Sequence, residues 1–104
     1  MYTLEEFLQN KTWNPSLSDG PNGKKILNMR LQMKPGTTPD QVKISLNGYD
    51  LRVEFNNKVS SEGGRQMSEH SYRQVTLFPT CDVDQLKTEF KDDGYLHIQV
   101  PITL

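Results

Sequence analysis

The side chains able to do chemistry in this chain are few and scattered. They are one cysteine, Cys81, two histidines, His70 and His97, and the acids Asp82, Asp84, Asp92 and Asp93. Cys81 lies in Pro79-Thr80-Cys81-Asp82, which has no nucleophile signature, so a small buried hydrophobe or a free surface thiol accounts for it. His70 and His97 stand too far apart in sequence for metal-ligand spacing, and Asp92-Asp93 before Gly94 suits a turn better than a calcium loop. His97 alternates with Leu96 and Ile98, which points it to solvent. Neither a phosphate-cradling glycine loop nor a Gly-x-Ser-x-Gly elbow is present. The expectation is a binding protein, not an enzyme, with no cofactor and no metal.

What must position any binding residues is a set of short strands. In 42–46, 51–55 and 96–100 every second residue is apolar, a period of two that puts those side chains on one face of a sheet. Leu27, Met29, Leu31 and Met33 alternate in the same way with Asn28, Arg30 and Gln32, and Pro35-Gly36 ends that strand. Asn47-Gly48 supplies a tight hairpin turn, residues 56–64 read as a flexible loop, and 65–78 as a long polar strand with Val75 and Leu77 inward. A loop or short 3-10 turn over 79–84 precedes a last hairpin, 86–90 with 95–100, closed by Lys91-Asp92-Asp93-Gly94. Short strands at this spacing predict an all-β chain of two packed antiparallel sheets, with Leu31, Val53, Phe55, Val75, Leu77, Leu96 and Ile98 in the core.

Residues 1–23 have another character, a short N-terminal helical or irregular segment and linker. Thr3 followed by Glu6 fits a capping box, and Leu4, Phe7 and Leu8 share one helical face. Trp13-Asn14-Pro15 breaks that helix, and residues 18–23 are rich in turn formers. Leu4, Phe7, Leu8 and Trp13 either cover one end of the sheets or dock on another chain.

Composition narrows the class further. A chain of 104 residues makes one domain with one modest core, and 34% hydrophobic against 24% charged residues is polar for it. Net charge is −1 with no basic block, which argues against nucleic acid as a partner. No apolar run approaches the roughly 20 residues of a membrane helix, so no membrane partner is expected. The N-terminus has no basic-then-apolar leader pattern, and a lone Cys81 allows no internal disulfide. Together these point to a soluble, reducing compartment, the cytoplasm, where the sequon Asn10-Lys11-Thr12 would stay idle.

Three segments carry a family resemblance. Thr38-Pro39-Asp40-Gln41-Val42-Lys43-Ile44 resembles the Pro-Glu-Glu-(Ile/Leu)-Lys-Val segment of α-crystallin domains, the module of small heat-shock proteins. Cys81-Asp82-Val83-Asp84-Gln85-Leu86 is similar to the loop after that family's Leu-Pro, and Phe90-Lys91-Asp92-Asp93-Gly94-Tyr95-Leu96 to its Ala-x-x-x-Gly-Val-Leu signature. The order and spacing agree over most of residues 24–101, leaving 102–104 as a tail remnant. The departures are Thr88 or Glu89 in place of the signature alanine, Tyr95 for valine, and a loop around Pro79 about one residue longer than usual.

The resemblance implies an immunoglobulin-like antiparallel β-sandwich that acts as an ATP-independent holdase for unfolding client proteins. It implies a groove between the strands at 42–46 and 86–90, which would place Val42, Ile44, Leu86 and Thr88 along it; alternation alone leaves core and groove equally open for the apolar three. It also implies a homodimer paired through the strand around 68–77, with assembly into larger oligomers left open by the sequence. Glu69, His70, Tyr72, Arg73 and Gln74 would form that interface, with Arg73, or Gln74 after a one-residue slip, at the family's interface arginine. His70 there would loosen the pairing on acidification, if it is more than a polar strand residue. Ile102-Thr103-Leu104 echoes the Ile-x-Ile/Val tail that docks into a neighbour's groove, without the usual spacer. The alternative is a p23-type co-chaperone or adaptor sandwich that holds one defined partner and stays monomeric.

Overall fold

The computed structural model describes residues 3–60, 63 and 66–104, and only the backbone at 58–60 and 66–68. Two compact units carry one sheet each: Met1–Pro35 with Phe78–Leu104, and Gly36–Leu77.

In the first unit a five-residue helix, α1 (Leu4–Leu8), starts at Thr3, whose hydroxyl oxygen accepts from the Glu6 N–H at 3.2 Å. The expected capping box closes differently: the Thr3 hydroxyl donates to Glu6 Oε1, also at 3.2 Å, so the pair is tied side chain to side chain. Four antiparallel strands follow in spatial order β1-β2-β7-β6: β1 (Ser16–Asp19), β2 (Lys25–Gln32), β6 (Lys87–Phe90) and β7 (Tyr95–Ile102). Leu27, Met29 and Leu31 of β2 lie opposite Val100, Ile98 and Leu96 of β7, and all six are buried. Asn28, Arg30, Gln32, His97 and Gln99 fall on the other face of the same sheet.

The second unit is a three-stranded antiparallel sheet in the order β3-β4-β5, with β3 (Val42–Asn47), β4 (Asp50–Ser60) and β5 (Gln66–Thr76). Its buried row is Leu51, Val53 and Phe55 of β4 with Val75 of β5. The turn between β3 and β4 uses the glycine alone: Asn47 pairs with Asp50, and Gly48 (φ 61°) takes the first central position, as a type II′ hairpin requires. All seven residues expected in the core are buried.

Four boundaries differ from the sequence reading, each for a local reason. Ser18 and Asp19, expected in a linker, belong to β1, where Leu17 is a single apolar residue among polar ones and leaves no readable alternation. The loop expected over 56–64 is strand through Ser60, because β4 and β5 pair as a ribbon from Asp50↔Thr76 out to Ser60↔Gln66; Ser61, Glu62, Gly64 and Arg65 lie outside the described residues. At its other end the long strand stops at Thr76, and Leu77 is buried just past it, its N–H donating to the Tyr49 carbonyl at 2.7 Å. Finally, β7 runs through Pro101 to Ile102. The Pro101 carbonyl accepts from the Asp82 N–H at 2.8 Å, so the ring nitrogen faces the loop side, beyond the end of β6, where no ladder bond is lost.

The core dictates how substitutions behave. Leu96→Ala should stay folded but lose about 2–5 kcal/mol in a chemical denaturation series, the range for emptying a fully buried leucine site. Val53→Asp, a carboxylate in a fully buried row, should abolish the cooperative transition altogether. A soluble, cooperatively melting Val53→Asp protein would contradict this packing.

Candidate functional site

An antiparallel ladder forces an alternation in the backbone. Residues of a hydrogen-bonded pair turn N–H and C=O toward their neighbour strand, and the next residues turn them away. On an edge strand, "away" is open. In the second unit the hairpin closes on the Asn47↔Asp50 pair, so Lys43 and Ser45 bond to β4. Val42, Ile44 and Leu46 therefore present their N–H and C=O groups along the free edge. Their side chains lie opposite Phe55, Val53 and Leu51, on the buried-row face, yet Val42 and Ile44 are only half-buried and Leu46 is 39% exposed. The choice left open in the sequence, core or binding edge, resolves here into partial burial on an open edge.

The edge strand β6 of the first unit repeats the pattern. The Lys91 N–H donates to the Tyr95 carbonyl at 3.3 Å, which fixes Glu89↔His97 and Lys87↔Gln99 as the bonded pairs. Thr88 and Phe90 then turn their backbone groups outward, with side chains opposite Ile98 and Leu96. Leu86 is half-buried just before the strand, its N–H held by the Val83 carbonyl at 3.3 Å. A 3-10 turn, Val83–Gln85, sets that entry, locked by the Gln85 side-chain amide donating to Asp82 Oδ2 at 2.6 Å.

On the opposite edge of the three-stranded sheet, the Leu77-to-Tyr49 bond fixes the register of β5. His70, Tyr72 and Gln74 carry the outward-facing backbone groups, while Arg73, Val75 and their alternates bond to β4. The five residues singled out from the sequence thus divide between two faces: Glu69 and Arg73 on the face of Val75, and His70, Tyr72 and Gln74 on the other. All five are exposed. Arg73 bends back so that Nη1 donates to the Tyr72 carbonyl at 3.0 Å, covering one acceptor of the open edge. The Tyr72 ring is itself held by Arg52, whose guanidinium carbon sits 4.1 Å from the ring centroid while Nε lies 2.9 Å from Glu54 Oε1.

The remaining sequence candidates fall elsewhere. Phe7 and Trp13 are buried, so of the four apolar N-terminal residues only Leu4 and Leu8, both half-buried, keep accessible surface. The Trp13 carbonyl accepts from the Arg30 N–H at 2.9 Å and Asn14 Nδ2 donates to the Arg30 carbonyl at 3.3 Å, which ties this segment to β2. Ile102 is not a free tail residue: it is buried, opposite Lys25, and bridged to Cys81. Cys81 is buried as well, and burial pushes its thiol up against a weaker opposing effect of the Phe78 backbone, which makes it a poor nucleophile. Among the described residues no three His, Cys, Asp or Glu side chains stand close enough to hold a metal, and no helix is long and apolar enough to cross a membrane.

Comparison with known proteins agrees with this geometry. The family model described as Hsp20/alpha crystallin family matches residues 22–103. A heat shock protein homolog of Nippostrongylus brasiliensis is 33% identical over 63 residues, 61% of this chain, and the matched stretch spans 36% of that relative's length. Stress-induced protein 1 from Caenorhabditis elegans superposes with a TM-score of 0.67 at 23% identity, covering 85% of this chain and 86% of that one. The rat alpha crystallin domain does so with a TM-score of 0.65 at 16% identity, covering 86% and 92%. These likenesses show the fold, an all-β antiparallel sandwich of the α-crystallin kind with little helix.

His97 is less open than its place in the strand suggested, because Asp93 reaches over it. His97 Nε2 lies 2.6 Å from Asp93 Oδ2, and Asp93 Oδ1 accepts from the Tyr95 N–H at 2.9 Å, so the acid both forms the turn and meets the histidine. Desolvation works to raise the Asp93 carboxyl and is outweighed by the hydrogen bonds from His97 and Tyr95 and the charges of His97 and Lys91, which hold it below the ordinary carboxylate value. A lowered acid stabilises the fold above its unfolded value and loses that contribution as pH falls through the folded one. Asp93→Asn keeps the turn acceptor and removes the charge. Its denaturation midpoint should fall below wild type at neutral pH, and the two curves should converge once the pH drops beneath the carboxylate range. A difference constant with pH would assign Asp93 to the turn alone.

Proposed function

The chain belongs to the Hsp20/alpha crystallin family, and we propose that it is an ATP-independent holdase that captures extended apolar segments of unfolding proteins and pairs as a two-fold dimer through β5. The observation that carries this reading is the coincidence, on β3, of outward backbone donors and acceptors with half-buried apolar side chains at Val42 and Ile44 and an exposed Leu46. An extended segment that adds to such an edge gains ladder hydrogen bonds, which are indifferent to sequence, and buries alternate side chains. The edge of β6, with Leu86 and Thr88, offers the same chemistry with less apolar surface. Each buried apolar side chain contributes roughly 1.5–3 kcal/mol before ordering costs, so the contacts are weak and exchangeable, as a client that must be released requires. The reading carries with it a non-enzymatic role in a reducing, cytoplasmic compartment, where the lone buried Cys81 stays a thiol.

For the dimer, β5 supplies an open edge of outward groups at His70, Tyr72 and Gln74. Pairing with a copy requires Arg73 to release the Tyr72 carbonyl, and its guanidinium is then available to a carboxylate such as Glu69 across the two-fold. A p23-type adaptor would leave this edge unpaired, and solution mass separates the two readings.

Three measurements test the proposal. Heated client without ATP should scatter less light in the presence of the protein; undiminished aggregation would end the holdase reading. Addition of an Ile-x-Ile peptide should shift NMR resonances along Val42–Asn47 and Lys87–Phe90, whereas changes confined to other surfaces, or none at millimolar peptide, would remove these edges from client binding. Gln74→Pro deletes an outward N–H without touching the β4 ladder. The mass should fall from dimer to monomer while circular dichroism still reports β structure, and a variant that stays dimeric places the interface elsewhere.

A further inference from the structure

The four-stranded sheet has a second accessible surface, the face turned away from its buried row, and it is neither flat nor neutral. Two adjoining hollows of about 240 and 570 Å³ lie along it and share Asn28, Met29 and His97 in their walls. Lys87, Lys91, Arg30 and Lys11 line this trough, and Glu89 is the one carboxylate among its lining residues. Nearby Asp93 is engaged by His97 and the Tyr95 N–H and lies within reach of the Lys91 charge. Four cations against Glu89 in the lining and Asp93 at its border still leave an excess of positive charge on a chain whose net charge is −1. Lys11 and Lys87 have no ion-pair partner among the described residues, and Arg30 meets only the Tyr95 ring face, 5.2 Å from the centroid, beyond its backbone bonds.

We infer that this trough, which borders the β6 edge at Thr88 and is separate from the β3 edge that carries the apolar row, is a docking surface for an extended acidic polypeptide segment. The charge excess selects for carboxylates. The trough floor is a braced amide ladder: Gln99 Nε2 donates to Asn28 Oδ1 at 3.0 Å, and Asn28 Nδ2 to Ser18 Oγ at 2.8 Å. Such a floor holds its shape without a ligand and suits a peptide backbone. Glu89, set between Lys87 and Lys91, repels a continuous line of negative charge, so a polyphosphate backbone fits worse than carboxylates spaced by uncharged residues. The partner chemistry is therefore a segment in which Asp or Glu alternates with small polar residues.

The test uses the whole chain and a fluorescein-labelled peptide of alternating Glu and Ser, read by anisotropy at low ionic strength. Binding should weaken as salt is added. Lys87→Glu should weaken it about fivefold, and Glu89→Lys should tighten it by a similar factor. Lys43→Glu makes the same change in net charge on the other sheet and should leave it unaltered. The inference fails if no binding is seen, if Lys43→Glu matches Lys87→Glu, or if an oligothymidylate of equal charge binds more tightly. Displacement of the acidic peptide by Ile-x-Ile peptide would also overturn it, by assigning the acidic segment to the strand edges, and would leave the holdase reading in place.

Discussion

A strand at the border of a sheet satisfies only every second pair of its backbone groups, and the rest of this molecule is arranged around that shortfall. Two short sheets give four edges, on β1, β3, β5 and β6, and the chain treats them differently. On β5 an arginine folds back over one carbonyl, and Glu69, His70, Arg73 and Gln74 are polar and exposed. On β3 no charged residue stands in the row of Val42, Ile44 and Leu46, and apolar surface is left beside the open groups. A lone edge of that kind invites aggregation, and most proteins blunt it with charge or proline. An edge kept apolar in this way is the feature on which the proposed client binding rests.

The same accounting explains what happens at the N- and C-terminal ends of the first unit. Phe7 and Trp13 are large enough to be sticky, but both are buried, and Trp13 is anchored to β2 through its carbonyl. Ile102 could have served as a docking residue, but it closes the row begun by Leu96, Ile98 and Val100 and meets Cys81 instead. Phe7, Trp13 and Ile102, which the sequence offers as free contacts, are consumed inside the fold, and among the described residues the exposed large apolar side chains are Leu46, Tyr49, Tyr72 and Leu104.

Much of this was legible in the residues because alternation speaks directly about faces. Val53 between Arg52 and Glu54, or Ile98 between His97 and Gln99, can only point one way in a half-buried sheet, and the core follows. Where the signal failed, the physics had no periodic apolar row to display. β1 has one apolar residue, and the outer part of the β4–β5 ribbon is polar in sequence, so neither contrasts with a loop. The last strand, expected over 95–100, continues through Pro101: a proline's missing N–H costs a bond in most strands, but here the group would have faced a loop. Faces are written in the sequence, while edges are a property of topology, which is why it took the register to show that His70, Tyr72 and Gln74 carry the outward backbone groups of β5.

The outer face of the four-stranded sheet shows how the two kinds of surface can coexist. A ladder edge recognises backbone and tolerates any alternating apolar segment, so its selectivity is low and its contacts are exchangeable. A charged face acts through side chains, is screened by salt, and governs the rate of encounter more than the strength of holding. Unfolding chains expose both apolar strands and the acidic stretches that keep them soluble. A domain that meets the acidic stretch on one face and the apolar strand at another edge would gain from linking two weak contacts on one client, since the second becomes intramolecular. Such a pairing needs no tight site anywhere, and the two hollows along this face are open to solvent. Weak, distributed contact is the mode of binding that this structure supports best.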